Sequence, residues 1–535
     1  MRPGEQPKPT AFHLWPRLAG PDPLSVRLSG RTGDLLTATL SGMIALAALF
    51  SFLTLLKSPA PFVDEAWNAN RAWALLQTGR AFGSLDAGVF ERFAGYWTYF
   101  PWLGTAIHAG AIRVLGLSLF AMRLTSYIFG LGVLAAVYVI GQQLGGRILG
   151  LLATLLVATS NAFLIATHLG RHDSVAAALG FAAIAVYVTD RSPGWSIRSA
   201  LAGLGLGLCL DIHLNGLVFI PAIGLLYLYD DGFGILRDRR FWSFVLGIGV
   251  GVAYYALMHV FPYPETYHTL GAAFGAWRAP TILSLDPTVW FGAIAGLAIQ
   301  IARLSDLRLP LLVVAIAFIG LRGSPPERKA LIIFATLVLS FLVLIRYAMI
   351  YYEILVMPAA DLVLAMFLLH LVPKRWPRRP LVWSGLLLTA TLLLTATART
   401  ALAFEADHFS AFEATSNRVQ QDLQMADTVI GPQYYWSDQS KERYLSWEQL
   451  LYYRVLVPGS SLADAFAAFR PDYLIVDADM NPFIANDRSD VSSFGQFLFI
   501  SQSELDRIVA ERGQLIDSFQ TADQGFVRVY HFRWN

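Results

Sequence analysis

Apolar runs as long as a bilayer is thick recur along this chain. They begin near Leu35, Leu119, Ile148, Val175, Ser199, Leu214, Phe241, Pro310, Ala330, Ile354 and Leu381. Crossing the hydrocarbon core takes about 20 apolar residues in a helix, and backbone polar groups in lipid must be satisfied within helices or a closed barrel. The expected fold is a polytopic α-helical membrane protein with about eleven transmembrane helices. Composition agrees: 55% of the 535 residues are hydrophobic and 15% charged, against roughly 25% charged in soluble domains. A net charge of +2 gives no reason to invoke nucleic acid. The single cysteine, Cys209, excludes an intrachain disulfide and a Cys-rich zinc site.

Basic residues gather at Arg147, Arg191/Arg198, Arg237/Arg239/Arg240, Arg322/Arg328/Lys329 and Lys374/Arg375/Arg378/Arg379. Placed in the cytoplasm by the positive-inside rule, they put Lys57–Leu119, Leu169–Ser174, Asp211–Asn215, Phe261–Leu309 and Arg346–Glu353 outside. The arrangement requires that Phe100–Gly116 and Val289–Ile301 lie in the outer interface instead of crossing. Residues 1–34, Pro-rich and mildly basic, read as a disordered cytoplasmic leader before a signal-anchor run. The membrane domain is expected over residues 35–402, with residues 57–119 as its first outer loop.

From residue 403 to 535 the chain turns polar. Strand-like runs at Thr428–Ile430, Tyr473–Val476 and Val527–Phe532 alternate with helical patterns at Leu462–Phe469 and Ser503–Arg512. A small C-terminal α/β domain is expected, extracytoplasmic by parity.

Ionisable residues beside hydrocarbon are expensive and so are functional candidates. Asp64 and Glu65 lie just beyond the first run and open a helical pattern that stops at Gly79. Acidic residues there complement exposed helix N–H groups, so capping and catalysis compete for them and are compatible. Arg171-His172-Asp173 interrupts another run on the same expected face. These residues read either as an ion pair locking two helices or as part of a site with Asp64. His213-Leu214-Asn215-Gly216 makes a polar turn between runs, of a kind that needs Gly and Asn for backbone reasons alone. Arg346, Tyr347, Tyr351 and Tyr352 precede Pro358 on another outward loop. Tyr and Arg are ordinary interfacial residues, but Arg also binds phosphate bidentately. Trp97, Tyr99, Pro101 and Trp102 form an aromatic approach to the first interfacial helix, and His108 on that helix reads as a satisfied polar residue. Asp477-Ala478-Asp479 in the tail reads as a polar strand end. No P-loop, Gly-rich dinucleotide fingerprint or His-Glu-x-x-His motif is present.

The order of these features resembles the GT-C glycosyltransferases. They run as one apolar helix, an outward loop opening with Asp64-Glu65, the aromatics Trp97 and Tyr99 before Pro101, Arg171-x-Asp173 and a late Arg346-Tyr347 loop before Pro358. The branch that fits best is that of protein O-mannosyltransferases and the lipid A aminoarabinose transferase, over roughly residues 35–400. The resemblance implies a sugar donor carried on a polyprenyl phosphate and an integral protein of a bacterial-type plasma membrane. It puts the catalytic carboxylate on Asp64 with Glu65 beside it, and the second acidic position on Asp173. Arg171, His172, His213, Asn215, Arg346, Tyr347, Tyr351 and Tyr352 become the residues that bind donor phosphate or substrate. The aminoarabinose branch carries Glu-Lys before the proline of the interfacial helix, where this chain has Tyr99 and Phe100. Metal use is therefore left open, with a divalent metal as the only cofactor considered.

The implied chemistry is inverting transfer to an acceptor hydroxyl on a lipid, glycan or protein. Asp64 acts as base, Arg346 or Arg171 balances the leaving phosphate, and Asp173 orients Arg171 or the acceptor. A transporter with Arg171 and Asp173 as gating charges would be expected to show internal repeats and midplane polar breaks, which this sequence lacks. A non-catalytic envelope scaffold and a ligase moving whole glycans remain as alternatives.

Overall fold

The computed structural model describes residues 31–91, 101–305, 308–371, 407–421, 423, 427–437, 443–485, 500–521 and 523–534. Most of the expected leader, the aromatics Trp97 and Tyr99, the basic cluster at 374–379 and the run from Leu381 lie outside the described residues.

The membrane part opens with α1 (Arg31–Leu53), and the first loop then folds into α2 (Val63–Thr78) and α3 (Trp102–Leu115). A helical bundle follows: α4 (Leu119–Gly145), α5 (Arg147–Ala158), α6 (Asn161–Thr167), α7 (Asp173–Thr189), α8 (Ile197–Ile212), α9 (Phe219–Asp231) and α10 (Arg239–Tyr255). After α11 (Pro264–Arg278) come α12 (Pro287–Ser305), α13 (Arg308–Arg322), α14 (Pro325–Leu344) and α15 (Met357–Leu371). Among the described residues four helical stretches are long and apolar enough to cross a membrane: Gly33–Leu53, Leu119–Gly145, Leu214–Arg237 and Arg239–Val260. The bent pair α5–α6 is a fifth if taken as one span. The expected runs from Val175 and Ile354 appear among the described residues as the shorter apolar helices α7 and α15.

The run from Ile148 shows how a break is tolerated. It bends by 62° between α5 and α6, which frees carbonyls at the end of α5. In lipid such groups need a partner, and Arg308 supplies it by donating to Leu156 O at 2.9 Å and Thr159 O at 3.1 Å. The buried guanidinium is balanced by Asp361 on α15, 3.2 Å away.

α8 and α10 cross at backbone contact. The spacing Gly203-x-x-x-Gly207 on α8 meets Gly247-x-x-x-Gly251 on α10. A Cβ on Gly203 would stand 2.0 Å from Phe244 O, and one on Gly247 would stand 2.0 Å from Ala200 O. Small residues let helices approach this closely where no hydrophobic drive separates protein from lipid.

The tail contributes α16 (His408–Gln421), α17 (Glu448–Leu456), α18 (Leu462–Phe469) and α19 (Gln502–Arg512). Its strands are β1 (Thr428–Gly431), β2 (Arg443–Ser446), β3 (Tyr473–Asp477), β4 (Ile484–Ala485), β5 (Ile500–Ser501), β6 (Gly513–Gln520) and β7 (Phe526–Phe532). Five form one mixed sheet in the order β2-β1-β3-β7-β6, in which β1 pairs parallel with β2 and β3, and β7 antiparallel with β3 and β6. The sheet stands on the first loop. Trp67, Ala72 and Leu85 share a core with Val429, Tyr434, Tyr435 and Ile475, and Gln449 donates to Leu85 O at 3.0 Å.

Candidate active site

The first loop turns at Phe62 into α2, whose first turn carries Asp64 and Glu65. These neighbours point into different surroundings. Glu65 is buried, and its two oxygens accept four N–H groups: Arg123 Nε at 2.9 Å, Arg123 Nη2 at 3.0 Å, Gly170 N at 2.7 Å and Phe62 N at 2.9 Å. Arg123 also donates to Leu55 O at 3.0 Å. Glu65 thereby joins the start of α2 to α4 and to the loop before α7, and it has no lone pair left for a substrate. Gly79 ends α2 in the left-handed region at φ 73°, as its position in the sequence suggests.

Asp64 keeps 36% of its side chain exposed and pairs with Arg171 Nη1. Arg171 reaches in the opposite sense to Asp173, donating from Nε to Oδ2 at 2.8 Å. The other oxygen of Asp173 lies 3.2 Å from His213 Nε2. A chain of ionisable side chains thus runs Asp64–Arg171–Asp173–His213. Tyr351 covers it, with its ring centroid 3.7 Å from Arg171 Cζ, and Phe62 lies on the same guanidinium at 5.9 Å. Tyr352 meets His213 edge-on at 5.7 Å and Tyr351 at 4.8 Å. Burial alone would lower the Arg171 pKa, but Asp173, Tyr351 and Tyr352 outweigh it and hold the guanidinium charged.

The loop before α7 is fixed by Ser126 of α4, whose hydroxyl donates to Arg171 O at 2.8 Å. Asp211, at the end of α8, accepts from Trp102 N at 2.8 Å and Leu103 N at 3.3 Å and so caps α3 from another helix. His259 Nε2 lies 3.1 Å from the same carboxylate.

Of the other expected residues, His172 adjoins this chain of side chains, near Arg171 and His213. His172 is buried against His108 of α3, with ring centroids 4.5 Å apart. A Cβ on Gly104 would stand 2.8 Å from its Nε2, so Gly104 makes room for that ring. Burial pushes His172 well below its ordinary value and His108 down to about 3, so both rings are neutral. Asn215 is half-buried on the turn Leu214–Val218 and makes no side-chain hydrogen bond to the four-residue chain. Arg346 and Tyr347 are half-buried on the segment that leads to the turn Ile350–Leu355, and burial pushes the Tyr347 phenol up to about 12. Glu353 on that turn is buried, and neither carboxylate oxygen has a hydrogen-bond partner among the described residues.

Sequence reading missed Arg123, the counter-ion of Glu65. The signal was available, since Arg123 is the only charged residue in α4. It also missed Asp86, which accepts from Arg71 Nη2 at 2.7 Å and Trp67 Nε1 at 2.6 Å and braces the far side of α2. Among the described residues no three His, Cys, Asp or Glu side chains gather as a metal site.

The fold is shared with solved structures. ArnT from Cupriavidus metallidurans bound to undecaprenyl phosphate matches at TM-score 0.60 and 14% identity, over 92% of this chain and 98% of that one. Its apo structure matches at TM-score 0.58 and 13% identity with the same coverage. The chain has the GT-C fold of membrane glycosyltransferases. Its sequence matches the family model of dolichyl-phosphate-mannose-protein mannosyltransferases over residues 91–231. The matched stretch includes Arg171, His172, Asp173, His213 and Asn215 and leaves out Asp64 and Tyr351. An apo oligosaccharyltransferase from Archaeoglobus fulgidus aligns over 83% of this chain and 70% of that one, at 12% identity and TM-score 0.48. No curated protein sequence matches significantly. The family model thus matches part of the membrane region, and the fold likeness extends over 92% of the chain.

Proposed function

We propose that this protein transfers a sugar from a polyprenyl-phosphate donor to an acceptor hydroxyl, with inversion, using Asp64 as the base. The observation that carries the reading is the Asp64–Arg171–Asp173 arrangement. One carboxylate stands at the open side, and a buried, permanently charged guanidinium joins it to a second carboxylate that holds the guanidinium in place. The donor class is supported by the fold shared with an ArnT bound to undecaprenyl phosphate.

The step needs one base and one anion site. Asp64 takes the acceptor hydroxyl proton as that oxygen attacks the anomeric carbon. The bond from that carbon to the phosphate oxygen breaks, and polyprenyl phosphate leaves with the electron pair. As the donor enters, Arg171 exchanges its arm on Asp64 for a phosphate oxygen while Asp173 keeps the other arm. The exchange frees Asp64 as a base and meets the charge that develops on the leaving group. Arg346 and Tyr347, on the segment that also carries Tyr351, are assigned to the phosphate, and His213 and Asn215 to the substrate side. Residues 403–535 are proposed to form an extracytoplasmic domain that roofs the first loop.

The test is release of polyprenyl phosphate by purified protein offered a panel of polyprenyl-phosphate sugars, with Asp64→Ala and Asp64→Asn alongside. Wild-type release that both variants lose, with unchanged melting temperature, supports the assignment. Full activity in either variant would remove Asp64 from the mechanism.

A further inference from the structure

At the opposite end of α7 from Asp173, the chain builds a second site. α7 has 17 residues, a rise of about 25 Å at 1.5 Å per residue, which approaches the roughly 30 Å of a hydrocarbon core. Asp190 closes that end. It accepts from Ser192 N at 3.0 Å and Ser199 Oγ at 2.9 Å, and also from Ser196 Oγ. This turn fixes Arg191 beside the end of α9 and the start of α10. There a cavity of about 490 Å³ is lined by Arg191, Ser192, Asp231, Arg237, Asp238 and Arg240, among others.

The charges in this cavity are not equivalent. Asp238 caps α10, accepting Arg240 N at 2.8 Å, and it takes the Arg240 guanidinium at 2.8 Å. Arg240 also donates to Asp190 O at 2.9 Å, which ties the two loops together. Arg240 and Asp238 therefore neutralise each other and act as the wall. Arg191 and Arg237 are exposed and have no hydrogen-bond or ion-pair partner among the described residues. Set against Asp231, they leave the cavity one positive charge in excess.

The rim is apolar. Trp195, Ile197, Phe233 and Leu236 are 63%, 72%, 81% and 63% exposed. Exposed aromatic and aliphatic side chains flanking arginines at helix ends are what a protein presents at the headgroup level of a bilayer. An opening for a free cytosolic anion would not need such a rim.

We propose that this cavity binds the phosphate of an anionic membrane phospholipid, on the membrane face opposite the Asp64 cluster. Arg191 and Arg237 take the phosphate oxygens, while Trp195, Phe233 and Leu236 lie against the glycerol and upper acyl chains. The site is independent of the sugar-transfer assignment and would serve to fix the bundle's height and tilt in the bilayer.

The test measures lipid retention by native mass spectrometry of the full chain in detergent. Phosphatidylglycerol, phosphatidylcholine and inorganic phosphate are offered separately to wild type, Arg191→Gln/Arg237→Gln and Arg191→Lys/Arg237→Lys. Retention of phosphatidylglycerol over phosphatidylcholine, weakened roughly thirty-fold in the Gln pair from about 1 kcal/mol per basic residue and largely restored in the Lys pair, is the expected result. Equal retention of the two lipids by wild type overturns the proposal whether or not the variants fold. Binding of inorganic phosphate that competes fully with phosphatidylglycerol overturns the lipid assignment and leaves a soluble-anion site.

Discussion

The Arg171 guanidinium carbon lies 3.7 Å from the centroid of the Tyr351 ring, closer than to the rings of Phe62 or Tyr352. The ring screens from water a cation that already holds two carboxylates, and a desolvated cation–π contact is worth about 2 kcal/mol. Tyr351→Ala is expected to weaken donor use, lowering kcat/KM by roughly 30-fold for a loss of that size. Tyr351→Phe keeps the ring and should retain most activity. Equal loss in both variants would show that the hydroxyl matters, not the ring. Steady-state kinetics with a competent donor decides between them.

Asp173 has a different task from Asp64. It is fully buried and its Oδ2 fixes Arg171. Asp173→Asn removes the charge that balances the guanidinium but keeps the shape. Arg171 should then bind Asp64 more tightly and release it less readily to the donor phosphate. The expected outcome is a fall in kcat of about 10²-fold or more, the scale of a mispositioned acid–base pair. Asp64→Asn is expected to lose kcat while still binding donor. Single-turnover kinetics with labelled donor separates the two, and identical binding defects in both variants would contradict the division of labour.

Glu65 and Arg123 predict folding, not chemistry. Breaking a buried ion pair by removing one partner costs about 3–5 kcal/mol, because the other charge is left uncompensated. Arg123→Met should therefore leave little folded protein in the membrane. Glu65→Gln keeps acceptor capacity on one oxygen and should be milder. The double variant Arg123→Met/Glu65→Gln should recover part of the loss, and purely additive effects on melting temperature would argue against a coupled pair.

The sequence offered candidate residues one by one, and the structure brings six of them together. Asp64, Arg171, Asp173, His213, Tyr351 and Tyr352 come from four segments that charge bias alone put on one face, and they converge at one end of the bundle. The different fates of Asp64 and Glu65 were not legible, because adjacent residues on a helix differ by only about 100° and no local pattern says which faces Arg123. The break between α5 and α6 was hidden for a similar reason. Its partner, Arg308, is about 150 residues away in sequence, and an apolar run gives no sign of where a distant guanidinium will take its carbonyls. The tail sheet was easier to read, since its alternation of strand and helix is local: β1, β3 and β7 fall on the expected runs. Its seat on the first loop rests on Gln449 and Leu85, again a long-range pair.

Glu353 makes stability depend on pH. The carboxyl lies two residues after Tyr351, buried on the turn Ile350–Leu355 with no hydrogen-bond partner for either oxygen among the described residues. Burial pushes its pKa from an ordinary 4.5 up to about 8, so the folded protein holds the neutral acid at pH 7 while the unfolded chain holds the carboxylate. The folded state then binds the extra proton throughout that interval, and unfolding releases it. Stability from this group is fully present below about pH 4.5 and declines as pH rises. It is lost once pH passes about 8, a change on the order of a few kcal/mol. Glu353→Gln, neutral at every pH, should remove this slope and leave the purified protein more stable than wild type above pH 8. Melting temperatures from pH 5 to 9 check this directly. A wild-type profile as flat as that of the variant would mean that Glu353 finds a counter-charge or water in the folded protein.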